Sequence, residues 1–313
     1  MQNNRIINAW CMYDWANSVY SLVITTAIFP IYYNAVTTSS SGSDIVSFFG
    51  IEIVNSVLYS YSLSFSFLIL TFFQPILSGI ADFSGNKKLF LRLFMYLGSF
   101  SCMALYFFDG DNIEFGIICS VVASIGFTGS LVFYNAFLPE IASARDFDRI
   151  SARGYTFGYI GSVILLIICL ILIQMFDSFG FKDSKSATKF TFLLVGVWWI
   201  IFSQITLYFL PQNVKKIKVN FEILSHGIRE LFKVWNYIKN VRNLRLYLFS
   251  YFFYSMGVQT IMLVASYFGS KELNLDQDKL IFTILIIQII AIFGAYFFAY
   301  ISTTKGNKFS LIL

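Results

Sequence analysis

Charged residues are scarce in this sequence. Only 12% of its 313 residues are charged, whereas 57% are hydrophobic and the mean hydropathy is +0.70. Soluble domains contain about 25% charged and about 45–50% apolar residues. A water-soluble fold has no place for this much Phe, Ile and Leu, so the composition excludes an ordinary soluble domain and favours a membrane protein.

Residues that form disulfides or bind metals are also few. The four cysteines, Cys11, Cys102, Cys119 and Cys169, all lie inside apolar segments and show neither a disulfide framework nor a metal-ligand spacing. We interpret them as small apolar side chains that fill space between packed helices. The single histidine, His226, lies between apolar segments, where a proton-relay histidine is not expected. We therefore expect no cofactor.

Sequence motifs of enzymes are absent as well. The chain contains no G-x-S-x-G, no H-E-x-x-H, no Walker loop and no pair of intramembrane acids with a metal spacing. These absences argue against an enzyme, and the lack of a nucleotide-binding motif argues against an ATP-driven pump within this chain.

Long apolar blocks dominate what is present. We predict eight membrane-spanning helices, because each block reaches the roughly 20 residues that a helix needs to cross a bilayer, and porin-type strands would be shorter and alternating. The blocks are 9–36, 53–81, 89–108, 113–138, 154–176, 190–210, 244–268 and 280–302. The first block is too long for a cleavable signal peptide and lacks a cleavage site.

The basic residues predict the orientation of these helices. If the N-terminus is cytoplasmic, 17 basic residues fall on the inner side and 5 on the outer side. We therefore predict a multi-pass protein of the inner (cytoplasmic) membrane, with a cytoplasmic N-terminus and the lipid bilayer as its partner. The net charge of +5 is then a topology signal, and we do not expect nucleic-acid binding.

A long polar gap divides the chain into three predicted parts. Residues 1–210 form a bundle of six helices, residues 211–243 a cytoplasmic linker, and residues 244–313 a partial second bundle with two spans and the start of a third. Apolar residues in the linker recur at helical spacing between Phe221 and Ile238, with lysines and arginines around them. They predict an amphipathic helix on the inner leaflet, and a regulatory or partner-binding helix is the alternative.

A short repeated tripeptide gives weak support to this division. Gly85-Asn86-Lys87 follows the second predicted span, and Gly306-Asn307-Lys308 follows the second span after the linker. The equivalent position of the two tripeptides favours a duplicated six-span unit, as in transporters built from parallel repeats.

Asp14 is the clearest ionisable residue inside a predicted span. Asn17, Ser18, Ser21 and Thr25 follow it at helical offsets and would share its face. A carboxylate at the head of a polar stripe is typical of a substrate or proton pathway. The alternative is an interfacial acid that hydrogen-bonds Trp10, Trp15 or a neighbouring helix.

Other polar residues mark the ends and interiors of later spans. Glu140 and Arg153 face each other across a short predicted turn, where they could form an ion pair. Gly154 and Gly158 form a G-x-x-x-G step, which we interpret as a site of close helix packing. Gln259, with Thr260 and Gln288, is either a hydrogen-bonding contact between helices or a ligand contact.

Several runs of sequence resemble a known superfamily. Residues 78–88, SGIADFSGNKK, resemble the loop motif between spans two and three of the major facilitator superfamily, although Ser78 replaces the usual Gly and Phe83 the usual Arg. Residues 10–20, residues 133–140 with 150–155, and residues 254–260 are similar to its vacuolar (autophagy-related) effluxer-like branch, which has bacterial members. Many relatives carry an acid where this chain has Met256.

The resemblance implies a fold and a set of site residues. The fold would be an all-α, major facilitator-type helical bundle of twelve spans working by alternating access, of which this chain holds six spans and a shortened second half. Asp14, Asn17 and Tyr20 would lie near the first-span gate, and we add Asn135 and Gln259 as candidates for the substrate or proton pathway. The candidate gating residues are Asp82, Gly85, Lys87, Lys88, Glu140 and Arg153.

Two functions remain open from the sequence. The first is secondary transport of small solutes, such as amino acids or similar neutral or zwitterionic metabolites, with protons as the candidate coupling ion. The polar stripe below Asp14 motivates this hypothesis. The second is a truncated remnant or fragment of such a transporter that does not transport by itself, because two unequal bundles cannot rock about a shared axis.

Overall fold

The part of the chain that the structure describes is almost entirely helical. The structure, a computed structural model, describes residues 2–39, 42–211, 232–271, 273 and 277–313. Within these residues, seven helices are long and apolar enough to cross a membrane. The prediction of an all-α membrane protein is therefore confirmed, with one short β-hairpin as an addition.

The first span combines three kinds of helical turn. It consists of α1 (Gln2–Val19), a π-helical segment (Tyr20–Ile28) and α2 (Phe29–Thr37). The Thr26 hydroxyl donates to the carbonyl of Ser21, five residues back, at 2.9 Å, which fits the wider π turn. The regular α-helical spacing that we assumed along Asp14, Asn17, Ser21 and Thr25 therefore ends at Val19.

A β-hairpin connects the first two spans. Strands β1 (Ile45–Phe48) and β2 (Ile51–Val54) pair antiparallel, with Ser47 opposite Glu52. Positive φ angles at Phe49 (48°) and Gly50 (82°) form the two-residue turn between them. No strand was expected here, although the short segment is rich in Ile, Val and Phe.

The next five spans follow in close agreement with the apolar blocks. They contain α3 (Asn55–Ser84), α4 (Lys87–Ala104), α5 (Ile113–Asn135), α7 (Phe147–Gln174) and α8 (Ser184–Phe209), with the four-residue helix α6 (Leu138–Ile141) between α5 and α7. Short 3-10 turns cover Leu105–Phe107, Ala144–Asp146 and Phe176–Phe179. The first, fourth and fifth spans and α8 carry most of the buried residues.

The described residues after position 231 form four more helices. They are α9 (residues 232–240), α10 (Arg242–Lys271), α11 (Gln277–Lys305) and α12 (Asn307–Ile312). The seven membrane-capable helices include residues Phe282–Lys305 of α11 but not α10, which occupies the seventh predicted block. Most of the predicted amphipathic linker helix, from Phe221 to Leu231, lies outside the described residues, and the three-part domain division stays a prediction.

Contacts group the chain into two units, which we describe separately. One contains residues 1–70, 88–211 and 284–313, and the other contains residues 71–87 and 212–283. In the first unit, α1 packs against α7 and α8, and large aromatic side chains such as Trp10, Tyr134 and Trp199 are fully buried there. This packed junction positions the candidate site.

Candidate functional site

The carboxyl group of Asp14 is buried where α1 meets α5 and α7. Asp14 is only 7% exposed, and the Tyr134 hydroxyl of α5 donates to its Oδ2 atom at 2.7 Å. In the part of the chain that the structure describes, no lysine, arginine or histidine forms an ion pair with Asp14. A buried carboxyl group held by a neutral hydroxyl is an unusual arrangement, because buried acids are generally paired with a cation.

Two residues of α1 fix the position of Tyr134. The indole ring of Trp10 stacks on the Tyr134 ring at a centroid distance of 4.3 Å, and its Nε1 donates to the Tyr134 carbonyl at 3.0 Å. The Tyr13 ring lies 5.0 Å from the same ring. The Tyr134 hydroxyl therefore has little freedom to turn away from Asp14.

Glycines on α7 make room for this cluster. A Cβ atom added at Gly154 would lie 2.5 Å from Asp14 Oδ2 and 3.3 Å from the Tyr134 hydroxyl. A Cβ atom at Gly158 would collide with the Ser18 hydroxyl, and one at Gly161 would lie 2.9 Å from the Trp15 ring. The interpretation of the G-x-x-x-G step as a site of close packing is confirmed, and its partner is α1.

The next polar residues of the first span are also buried. Asn17 is 1% exposed, and its Nδ2 atom has no hydrogen-bond partner among the described residues. The Tyr20 ring packs 4.9 Å from Phe127 and 5.9 Å from Trp199. Since an unpaired buried amide costs free energy, Asn17 is suited to bind water or a polar solute inside the bundle.

The two remaining pathway candidates lie in different surroundings. Asn135 is the last residue of α5 and is exposed, although it follows the buried Tyr134 directly. Gln259 is an exposed residue of α10. Neither belongs to the buried cluster around Asp14 that the described contacts define, and their proposed roles stay predictions.

The α3–α4 loop contains the candidate gating motif. Gly85 directly follows α3 with φ +68°, and the Asn86 amide donates to the Ala81 carbonyl at 3.0 Å, so the helix ends in a Schellman motif. This turn brings Lys87 Nζ to 3.0 Å from Asp82 Oδ1. The turn at Gly85 thus explains why Asp82 and Lys87 can form an ion pair across the end of α3.

Lys88 makes a different contact. Only 8% of Lys88 is exposed, and its Nζ atom donates to the carbonyl of Leu210, directly after α8, at 2.9 Å. A lysine at the C-terminal end of a helix also compensates the partial negative charge there. Lys88 therefore fastens the start of α4 to the end of α8.

A polar cavity of about 580 Å³ opens beside the N-terminal turns of α1 and α7. Arg153 lines it, and its guanidinium group lies 5.7 Å from the centroid of the Phe157 ring. Arg149 also lines it and pairs with Asp146 at 2.8 Å. Asp146 itself lines the cavity too, and the other lining residues are Asn4, Ile7, Asn8, Ala142, Ser143, Ile150 and Tyr296. Glu140 lies in α6, and its pairing with Arg153 stays a prediction.

Tyr134 is the functional candidate that sequence reasoning missed. It lies 120 positions from Asp14 in the chain, and no local pattern predicts their contact. The run FYNAFLPE, which carries the family resemblance, contains Tyr134, but the candidates predicted from it are Asn135 and Glu140.

Comparison with known proteins supports the resemblance. Residues 2–313 match the family described as "Vacuole effluxer Atg22 like". The chain is 33% identical over 286 residues to the uncharacterized MFS-type transporter YxiO of Bacillus subtilis (strain 168), covering 91% of this chain and 64% of that protein. It is 21% identical over 397 residues to autophagy-related protein 22 of Pyricularia oryzae, covering 98% of this chain and 58% of that protein.

A third relative gives a similar result. The chain is 25% identical over 290 residues to autophagy-related protein 22 of Vanderwaltozyma polyspora, covering 79% of this chain and 53% of that protein. The chain therefore spans about three-fifths of the length of the curated relatives that it matches.

Proposed function

We propose that this chain, which belongs to the vacuole effluxer Atg22-like family, acts in secondary transport of small solutes across a membrane. Its relatives are described as an MFS-type transporter and as autophagy-related proteins, and it has the apolar helices of a multi-pass membrane protein. Membership in a transporter family also argues against an enzymatic role.

The buried Asp14–Tyr134 pair carries the proposal. A carboxyl group can bind and release a proton. Because a charged side chain is costly inside a membrane bundle, each change of its protonation alters the stability of the helix arrangement around it. Tyr134 supplies a hydroxyl that can hydrogen-bond either form of the acid, at 2.7 Å. We infer that Asp14 couples solute movement to a proton gradient, with Asn17 and Tyr20 continuing the polar path.

The α3–α4 loop is proposed as the inner gate. Asp82 and Lys87 form an ion pair that is largely open to solvent on the aspartate side, where the side chain is 59% exposed. Such a pair contributes little to stability and can open and re-form at low cost during alternating access. The excess of basic residues near this loop supports placing it, with the N-terminus, on the cytoplasmic side.

The solute is proposed to be neutral or zwitterionic. Span interiors near Asp14 offer amide and hydroxyl groups, such as those of Asn17 and Ser18, and few charges. These groups suit hydrogen bonding to a compact polar solute better than neutralisation of several charges.

Transport in proteoliposomes tests this function. Vesicles that contain the purified protein would receive an imposed pH gradient and a panel of radiolabelled neutral amino acids and related zwitterions. We expect gradient-driven uptake that Asp14→Asn abolishes, because the amide cannot exchange a proton. Asp111→Asn is the matched control, since Asp111 is exposed and lies between two spans. Unchanged uptake and unchanged pH dependence in Asp14→Asn would remove Asp14 from the mechanism.

A further inference from the structure

The turn of the β1–β2 hairpin exposes large apolar side chains. Phe49 is 69% exposed and Ile51 is 68% exposed, and the Phe48 ring lies 4.8 Å from the Phe49 ring. Two-residue turns of this kind usually carry Asn, Asp or Gly, because both positions need positive φ. Here Phe49 adopts φ +48°, so an aromatic side chain projects from a place that normally holds a polar residue.

The base of the hairpin is fixed to the end of the first span. The Asn55 side-chain amide donates to Thr37 Oγ1 at 2.9 Å and to Asn34 Oδ1 at 3.1 Å. The Asn55 backbone amide donates to the Asp44 carbonyl at 2.8 Å, which closes the hairpin. Because Asn55 is only 1% exposed, these bonds are shielded from water and hold the hairpin in one place.

The turn itself is held at the start of another span. The backbone amide of Phe49 donates to Glu114 Oε1 at 2.9 Å, and Glu114 lies in the first turn of α5. The start of a spanning helix marks the boundary between the apolar core of the membrane and its headgroups. Ile118, one turn further along the same face of α5, is 49% exposed, so that face continues into an uncovered apolar surface of the span.

The two faces of the hairpin differ in polarity. Val46 is 7% exposed and packs toward the protein, whereas Ser47 and Glu52 lie opposite each other on the other face and are exposed. The second face is polar only near the turn, because at the base of the hairpin it carries the exposed Ile45 opposite Val54. The part of the hairpin near the turn therefore has a protein-facing side, a polar side and an apolar tip, which match the protein, water and lipid found at the membrane boundary.

We propose that this apolar tip, formed by Phe48, Phe49 and Ile51, inserts into the lipid headgroup region of the membrane. The occupant is lipid because Glu114 holds the tip at the height where a span begins, and because the exposed face of α5 below it is continuous with the apolar surface of the spanning helices. The hairpin thereby anchors the connection between the first two spans to the bilayer surface.

Site-specific labelling tests this anchor. The native cysteines Cys11, Cys102, Cys119 and Cys169 are all buried, so an introduced surface cysteine is labelled selectively. The variant Phe49→Cys would carry an environment-sensitive fluorophore in phosphatidylcholine vesicles. Quenching would be compared between lipids with a nitroxide close to the headgroup and iodide in the water. Glu52→Cys, on the polar face of the same hairpin, is the matched control, and Ile51→Cys replaces Phe49→Cys if that variant does not fold.

The two quenchers distinguish the outcomes. Insertion predicts that the label at position 49 emits at shorter wavelength than the label at position 52, is quenched several-fold more by the lipid nitroxide and is quenched less by iodide. Equal iodide quenching at both positions would overturn the proposal, because the tip would then lie in water. Protection of position 49 from both quenchers would overturn it too, because protein would then cover the tip.

Discussion

Asp14 and Asp82 are two aspartates in runs that resemble the same superfamily, and their surroundings are opposite. Asp14 is 7% exposed and accepts a hydrogen bond from a tyrosine, with a helix glycine against its carboxyl group. The Asp82 side chain is 59% exposed and pairs with Lys87 at 3.0 Å. The position of the Asp14 carboxyl group therefore depends on close packing and on one uncharged hydrogen-bond donor. The position of the Asp82 carboxyl group depends on a cation and on solvent.

The comparison indicates different tolerances to mutation. Around Asp14, atoms from α1, α5 and α7 occupy the available space, so a change of a single methyl group alters the packing. Around Asp82, water can replace either partner of the ion pair. Substitutions around the buried aspartate should therefore cost more stability than those at the exposed one, and three experiments test this difference.

The largest effect is expected for Gly154→Ala. The new Cβ atom would lie 2.5 Å from Asp14 Oδ2, so the carboxyl group or α7 has to move. We expect a loss of about 1–3 kcal/mol in the free energy of unfolding, as for other overpacked sites. Thermal unfolding in detergent measures it. Gly257→Ala is the control, because a Cβ atom there meets nothing within 4 Å, and it should be neutral or slightly stabilising. Equal effects at the two glycines would contradict the close packing.

An intermediate effect is expected for Tyr134→Phe. Loss of the hydroxyl leaves the Asp14 carboxyl group buried without its donor, which should cost about 1 kcal/mol of stability. The cost should shrink in the Asp14→Asn background, because a neutral amide tolerates the missing donor better, so a double-mutant cycle of unfolding measures the coupling. Tyr208→Phe, at a residue that is 80% exposed, should change nothing. Additive effects of Tyr134→Phe and Asp14→Asn would show that the hydrogen bond is unimportant.

The smallest effect is expected for Asp82→Asn. Removal of this exposed ion pair should lower stability by at most about 1 kcal/mol, and the difference from the unchanged protein should decrease at high salt, because salt screens exposed charges. Unfolding measured at low and high ionic strength checks this. A large, salt-independent loss would mean that Asp82 has a buried role like that of Asp14.

Much of the fold was predictable from residue patterns. The apolar blocks predicted the helical spans to within several residues at their ends, because burial of about 20 apolar residues in lipid depends on local composition. The G-x-x-x-G step at Gly154 and Gly158 correctly predicted close packing. The two copies of the Gly-Asn-Lys repeat also have similar local structure, since Gly85 and Gly306 both follow a helix end with positive φ, at 68° and 85°.

Other features were not predictable from those patterns. The π-helical turns over Tyr20–Ile28 and the β1–β2 hairpin were missed. The hairpin depends on Asn55 and Glu114, which hold its base and its turn from other elements. Because such short strands are marginal by themselves, tertiary contacts rather than local preference select them.

The location in a membrane, the approximate bounds of the helices and the short motifs that end them could be predicted from the amino-acid sequence, because they depend on composition and on contacts between residues close in the chain. The surroundings of Asp14 depend instead on tertiary packing. Tyr134 and Gly154 reach it from helices that are more than 100 positions away, and whether a buried carboxyl group meets a cation or a neutral hydroxyl depends on that packing.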